Sequence, residues 1–226
     1  MTVSLMRFVD RFVGVPLCWV AGVVVQFRRR LPNDRRSSAV SEILVIKFFG
    51  LGSIVLATPS LALLRQIYPN ARITFLSFVA NRELLERMDG IDAIRTIDTT
   101  SIGRFLRSSL ETIVHVRTHP YQVVLDLEFF SKFSTLLSAL SKAEARGAFS
   151  LPTRWRSRIL THSVPLDRQK NVAYSFANLV SSVSGVPFDG PPELHPPAIF
   201  EDDRRRLLEK LPDSGSPIVC VNVNAG

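Results

Sequence analysis

The stretch Ile43-Leu-Val-Ile-Lys-Phe-Phe-Gly-Leu-Gly-Ser-Ile-Val-Leu-Ala-Thr-Pro-Ser60 decides how the rest of the chain is read. Ile43 to Ile46 is a short apolar run rich in β-branched residues, the pattern of a buried strand. Gly50 and Gly52 punctuate it, and a helical pattern follows from Ser53 to about Tyr68. Strand, glycine turn and helix together open a parallel α/β domain. In open sheets of this kind ligands bind at the carboxyl ends of the strands, so this turn is the first candidate site.

The pattern then repeats. Ala71–Phe78, Ala93–Ile97, Tyr121–Leu127 and Ala145–Phe149 read as further strands. Between them, Asn81–Met88 (with Asn81 as N-cap), Ser101–Arg117 and Phe129–Ala143 read as helices. Five strands alternating with helices predict a Rossmann-like doubly wound parallel sheet. Asn171–Gly185 is a helix closed by glycine. Val186–Pro197 holds five prolines and reads as an extended connection. A charged helix over Phe200–Leu211, a strand over Pro217–Val223 and the polar turn Asn224-Ala225-Gly226 then suggest the start of a second α/β domain. The expected division is an arm and linker over 1–41, the first domain over 42–185, and the start of another over 186–226.

The 226 residues carry a net charge of +8. Residues 1–40 hold seven arginines against two aspartates, a net +5, so the basic character belongs mainly to the arm. Phe12–Phe27 is uncharged and apolar over 16 residues, preceded by Arg11 and followed by Arg28-Arg29-Arg30. A spanning helix needs about 20 apolar residues. A helix in the membrane interface, its arginines on anionic head groups, is the favoured reading, beside a true span and a helix packed on the protein itself. With two cysteines far apart, Cys18 and Cys220, no disulfide framework or metal spacing is present. Four unclustered histidines add no metal site. A reducing, cytoplasmic setting follows, peripheral on the inner face of the membrane.

Common cofactor motifs fail. Gly50-Leu-Gly52-Ser-Ile-Val55 lacks the third glycine of the dinucleotide fingerprint, and no acidic residue ends the second strand. No Gly-Lys-Ser/Thr makes a P-loop. The two glycines still let a ligand approach the backbone, although a turn built for tight packing fits as well. Asp126 and Glu128 stand at i, i+2 on an extended segment, so both could face one side for acid–base work; alternatively Asp126 caps the next helix. Lys132 lies four residues beyond Glu128, a spacing for an ion pair. Arg154, Arg156 and Arg158 interleave with Trp155, a candidate phosphate-binding patch or a solvated loop. No signature for nucleic-acid binding accompanies it.

Ile43–Pro59, with the following Leu61-Ala-Leu-Leu-Arg-Gln-Ile-Tyr-Pro-Asn-Ala-Arg-Ile-Thr-Phe75, resembles the N-terminal half of the glycosyltransferase family 9 heptosyltransferases. Tyr121–Leu127 with Glu128, Arg146-Gly-Ala-Phe149 and Val219–Gly226 are similar to further family segments. The resemblance implies the N-terminal, acceptor-binding half of a GT-B fold. It implies inverting, metal-independent transfer with no cofactor, from a nucleotide-sugar such as ADP-heptose to a lipopolysaccharide core or related glycolipid. The membrane surface is met through residues 1–30, and no nucleic acid is involved. Lys47, Gly50, Gly52, Arg154 and Arg156 form the expected acceptor- or phosphate-binding set, and Asn224 and Gly226 the donor-side turn. The family's general base, an aspartate directly after the turn glycine, is Ser53 here, so Asp126 and Glu128 are the substitute candidates. Lacking most of a donor domain, the 226 residues are expected not to transfer efficiently alone. The alternative is a non-catalytic α/β module binding an anionic glycolipid or a protein partner.

Overall fold

The computed structural model describes residues 40–150, 159–167, 169–198 and 201–210. The arm, the Arg154–Arg158 loop and everything beyond Lys210 lie outside them, including Arg154, Arg156, Asn224 and Gly226.

Six strands form one parallel sheet: β1 (Glu42–Ile46), β2 (Arg72–Phe78), β3 (Ala93–Ile97), β4 (Val123–Asp126), β5 (Ala145–Ser150) and β6 (His162–Pro165). Their spatial order is β3-β2-β1-β4-β5-β6. That is the order of a Rossmann-like sheet, in which the chain reverses direction of travel between the first and fourth strands. The alternation within β1 shows why helices are needed on both faces. Ile43 and Val45 point into one core with Ile54, Leu61, Leu64, Phe176 and Leu179. Leu44 and Ile46 point into the other with Val116, Leu137 and Leu76. A strand apolar at successive positions has no solvent face and must be covered twice.

The helices are α1 (Leu51–Val55), α2 (Thr58–Ile67), α3 (Arg82–Leu85), α4 (Ile102–Thr118), α5 (Lys132–Leu140), α6 (Val172–Ser184) and α7 (Glu201–Lys210). Ser101 and Ser131 cap α4 and α5, their hydroxyls accepting from the third residue on. Gly185, at φ 75°, closes α6 as expected.

Three expectations change. The single helix over Ser53–Tyr68 is two, because Pro59 has no N–H to give Val55 and its ring crowds that carbonyl. The Thr58 hydroxyl donates to the Val55 carbonyl instead, at 2.8 Å. Asn81 is no side-chain cap for α3; its amide donates to the Phe48 carbonyl and the Ser77 hydroxyl, both at 2.8 Å. The edge strand β6 is an addition. His162-Ser-Val-Pro165 is short, half-exposed and ends in proline, a composition tolerated only at an edge.

The proline-rich segment after α6 runs as an extended connection across the α2 side of the sheet. His195 N donates to the Thr58 hydroxyl at 3.1 Å, and Ala198 N to the Arg87 carbonyl at 2.7 Å. Arg87 also pairs with Asp203 of α7 at 2.6 Å.

Gly147 in β5 is where α6 presses closest on the sheet. A Cβ built there would stand 2.5 Å from Val183 Cγ2 and 3.2 Å from Leu125 Cδ2. The β-branched Val183 has little freedom to give way. Gly147→Ala is therefore expected to destabilise the domain by about 1–3 kcal/mol, read as a lower urea midpoint at unchanged m-value. An unchanged midpoint would show that α6 slides at no cost.

At the other end of the sheet His115 and His119 stack at 4.9 Å, with Tyr121 against both. Burial pulls the His115 pKa down to about 4, helped by the charge of Arg95 and by His119. The unfolded chain, titrating near 6.5, binds this proton first on acidification. Stability therefore rises with pH across the interval from about 4 to 6.5 and levels off above it. Urea midpoints should fall as pH drops through that window, and His115→Gln should flatten the fall. An equally steep fall in the variant would assign the effect to other groups.

Candidate functional site

The reversal point of the sheet puts the carboxyl ends of β1 and β4 side by side, with Ile46 in register with Asp126. The segments leaving them, 47–50 and 127–131, lead to helices on opposite faces of the sheet, and such a reversal point is the usual ligand position in open α/β sheets.

Lys47 and Glu128 meet across it. Lys47 is 2% exposed and Glu128 5%. Their charged atoms lie 2.9 Å apart. The same Glu128 oxygen accepts from the backbone N–H of Phe48 at 2.7 Å and of Phe49 at 2.9 Å. Lys47 Nζ also donates to the Phe49 carbonyl at 2.7 Å and lies 5.6 Å from the centre of the Phe129 ring. Aromatic packing dries both sides. Phe48 stacks on Phe78 at 4.8 Å and touches Phe133 at 5.8 Å. Phe129 stacks on Phe176 at 5.7 Å. In such surroundings a charge must be paired and hydrogen-bonded to stay charged. The other rim of the segment is held by Ser77, whose hydroxyl donates to the Lys47 carbonyl at 2.6 Å, and by Asn81 on the Phe48 carbonyl.

Asp126 is fully buried and turned elsewhere. One carboxylate oxygen accepts from Glu128 N at 3.1 Å. The other accepts from the Ser134 hydroxyl at 2.9 Å and the Thr135 hydroxyl at 3.3 Å, fastening the first turn of α5. The two carboxylates thus do not converge on one open point. Asp126 secures α5, the role closest to the capping alternative, and Glu128 clamps the segment after β1. The 128–132 ion-pair spacing has no helix to act on, because α5 begins only at Lys132.

Gly50 has φ 84° and ψ 96°, a conformation available to glycine and strained for other residues. A Cβ there would stand 2.8 Å from Ser53 Oγ. Gly52 lies in the first turn of α1 with open space where a Cβ would project. Ser53 is half-buried, and its hydroxyl donates to the Gly50 carbonyl at 2.8 Å and the Phe49 carbonyl at 3.0 Å. The turn thus carries a hydroxyl, not a base, at its rim. Of the expected site residues, the structure brings together Lys47, Gly50, Gly52, Ser53 and Glu128, with Asp126 just beneath. Ser77 was not singled out from the sequence, and Asn81 was read there only as a helix cap; the signal was a pair of small polar residues four apart, one at the end of an apolar strand and one just beyond it.

Among the described residues no helix is long and apolar enough to cross a membrane, and no group of three potential metal ligands occurs.

No protein-family model and no curated protein matches the chain. Solved structures do. A glycosyl transferase family 9 protein from Veillonella parvula matches with a TM-score of 0.63 at 20% identity, covering 79% of this chain and 52% of that one. The E. coli ADP-heptose lipopolysaccharide heptosyltransferase II matches with a TM-score of 0.55 at 18% identity, covering 76% and 51%. The E. coli heptosyltransferase WaaC, solved with ADP, matches with a TM-score of 0.54 at 12% identity, covering 67% and 49%. The chain spans about half the length of each, and it shares with them the Rossmann-like α/β fold of GT-B glycosyltransferases.

Proposed function

We propose that this chain is the acceptor-binding half of a heptosyltransferase-like glycosyltransferase. The observation that carries the reading is the β1–β4 reversal point, with the glycine-dependent Gly50 turn leaving it, in a fold similar to two heptosyltransferases. The donor is a nucleotide-sugar of the ADP-heptose type, and the acceptor a lipopolysaccharide core or related glycolipid. The structural neighbours include WaaC with ADP and with ADP-2-deoxy-2-fluoro heptose.

The reaction is inverting and independent of metal. An acceptor hydroxyl oxygen attacks the anomeric carbon as the bond from that carbon to the diphosphate oxygen breaks. The diphosphate leaves with the electron pair, and the hydroxyl proton passes to a base. The residues at the reversal point supply position: the Glu128 clamp fixes the backbone from Lys47 to Phe49, and Gly50 turns it beside the acceptor. Residues 1–30 place the whole at the inner face of the cytoplasmic membrane.

Backbone NMR of the isotopically labelled chain, titrated with deep-truncated lipopolysaccharide below its aggregation threshold, tests this. Amide shifts are expected to concentrate at residues 47–53 and 126–131 and to be weakened by Gly50→Ala. Shifts confined to other surfaces would overturn the acceptor assignment.

A further inference from the structure

Helix α4 leaves a continuous ridge of aliphatic side chains uncovered. Ile102, Leu106, Leu110 and Val114 follow one another at intervals of four and are 58%, 56%, 63% and 61% exposed. A separate face, with Ser109, Thr112 and Val116, is buried against the sheet. Single exposed aliphatics are ordinary, but a row along one helix marks a contact surface.

The border of the ridge is basic. Arg104 and Arg107 have side chains 70% and 83% exposed, Arg104 standing 3.7 Å from Asp98 just before the helix, and Arg117 is exposed further along. Glu111, the one acid between Ile102 and Thr118, pairs with Arg107 at 2.9 Å. Just beyond α4, the Gln122 amide oxygen accepts from Glu42 N at 2.8 Å, and His119 lies 3.1 Å from the Glu42 carboxylate. The arm, with its net +5 and its apolar run, therefore joins the domain at the carboxyl end of this helix.

We propose that α4 rests on an anionic lipid bilayer, with the aliphatic ridge among the head groups and Arg104 and Arg107 on lipid phosphates. A second copy of the same face is disfavoured, because a twofold contact sets each basic border against itself. A ridge also requires a shaped groove in a protein partner, whereas a bilayer yields to it. Since α4 starts at the carboxyl edge of the sheet, this contact holds the β1–β4 reversal point on the membrane side, where a lipid-linked acceptor presents its sugar. The inference goes beyond the transferase reading and uses none of its chemistry, so vesicle binding and sugar transfer fail separately.

The test uses the full chain with Cys18→Ser and Cys220→Ser, and a polarity-sensitive fluorophore on Leu106→Cys. Mixed phosphatidylglycerol–phosphatidylcholine vesicles are expected to blue-shift its emission. A fluorophore on Asp189→Cys, at the α2 side of the sheet, should not respond. In the unlabelled chain, Leu106→Glu with Leu110→Glu should lower partition onto these vesicles about tenfold without changing the circular dichroism. No shift at position 106 with vesicles would overturn the proposal. So would a shift that needs no vesicles and grows with protein concentration, which would make the ridge an interface between copies of the chain.

Discussion

Glu128→Ala is expected to destabilise the domain by about 3–5 kcal/mol, the cost of leaving a buried charge without its partner. The argument rests on what remains after the truncation. Lys47 keeps its position at the end of β1, 2% exposed and walled by Phe129. Its remaining acceptor described here, the Phe49 carbonyl, does not neutralise an ammonium group. The N–H groups of Phe48 and Phe49 lose their acceptor at the same time. The melting temperature should fall by about 10 °C for a domain of this size. Glu128→Gln separates the two contributions, since it keeps an oxygen for the amides and removes the charge; it should lie between wild type and alanine. A melting temperature within about 2 °C of wild type for the alanine variant would show that Lys47 escapes to solvent at little cost. Truncation should also loosen the segment leading into Gly50, so acceptor binding should weaken with stability.

Ser53→Asp is expected to raise turnover by about 10²–10⁴-fold, the usual contribution of a positioned general base. The comparison is made with ADP-heptose and deep-truncated lipopolysaccharide, in a form of the protein joined to a donor-binding half. Ser53 now donates to the carbonyls of Phe49 and Gly50. A carboxylate at neutral pH cannot donate, and those two carbonyls repel it. It therefore swings away from them, and the half-buried position leaves that rotation open. The site tolerates the charge, because residue 53 lies in the first turn of α1, where free N–H groups favour an anion. The new rate should fall as pH drops through the carboxylate range, a profile the serine form lacks. A serine form that already turns over well, with no gain from aspartate, would show that another group takes the proton.

The two carboxylates show how far linear spacing reaches. Asp126 and Glu128 are two apart, and on an ideal strand they would face one side. The strand ends at Asp126, so alternation stops between them. Asp126 turns onto Ser134 and Thr135 of a helix that begins six residues later, while Glu128 turns across the reversal point to Lys47. The helix that Asp126 holds is the next one along, close to the capping alternative, but the Lys47 partner of Glu128 is 81 residues away and no spacing rule names it. Asn81 makes the same point. Its position before a helical pattern suits a cap, yet the unpaired Phe48 carbonyl of a distant loop takes its amide.

What the chain's linear order settled was the class of fold. Apolar strands alternating with helical segments, each boundary marked by glycine, proline or a small polar residue, leave no arrangement but a sheet covered on both faces. The Gly50 turn was equally readable, because a backbone conformation open only to glycine is written into the residue itself. The break before Pro59 was passed over, because the apolar periodicity runs on through it, although the missing N–H of proline marks it. Tertiary structure alone decided where the charges go. Lys47 and Glu128 are 81 residues apart, and only the side-by-side placement of β1 and β4 makes them a pair. It also decided which face of α4 is covered: the helix carries apolar residues on more of its circumference than one sheet can bury, and packing selected the face left to solvent.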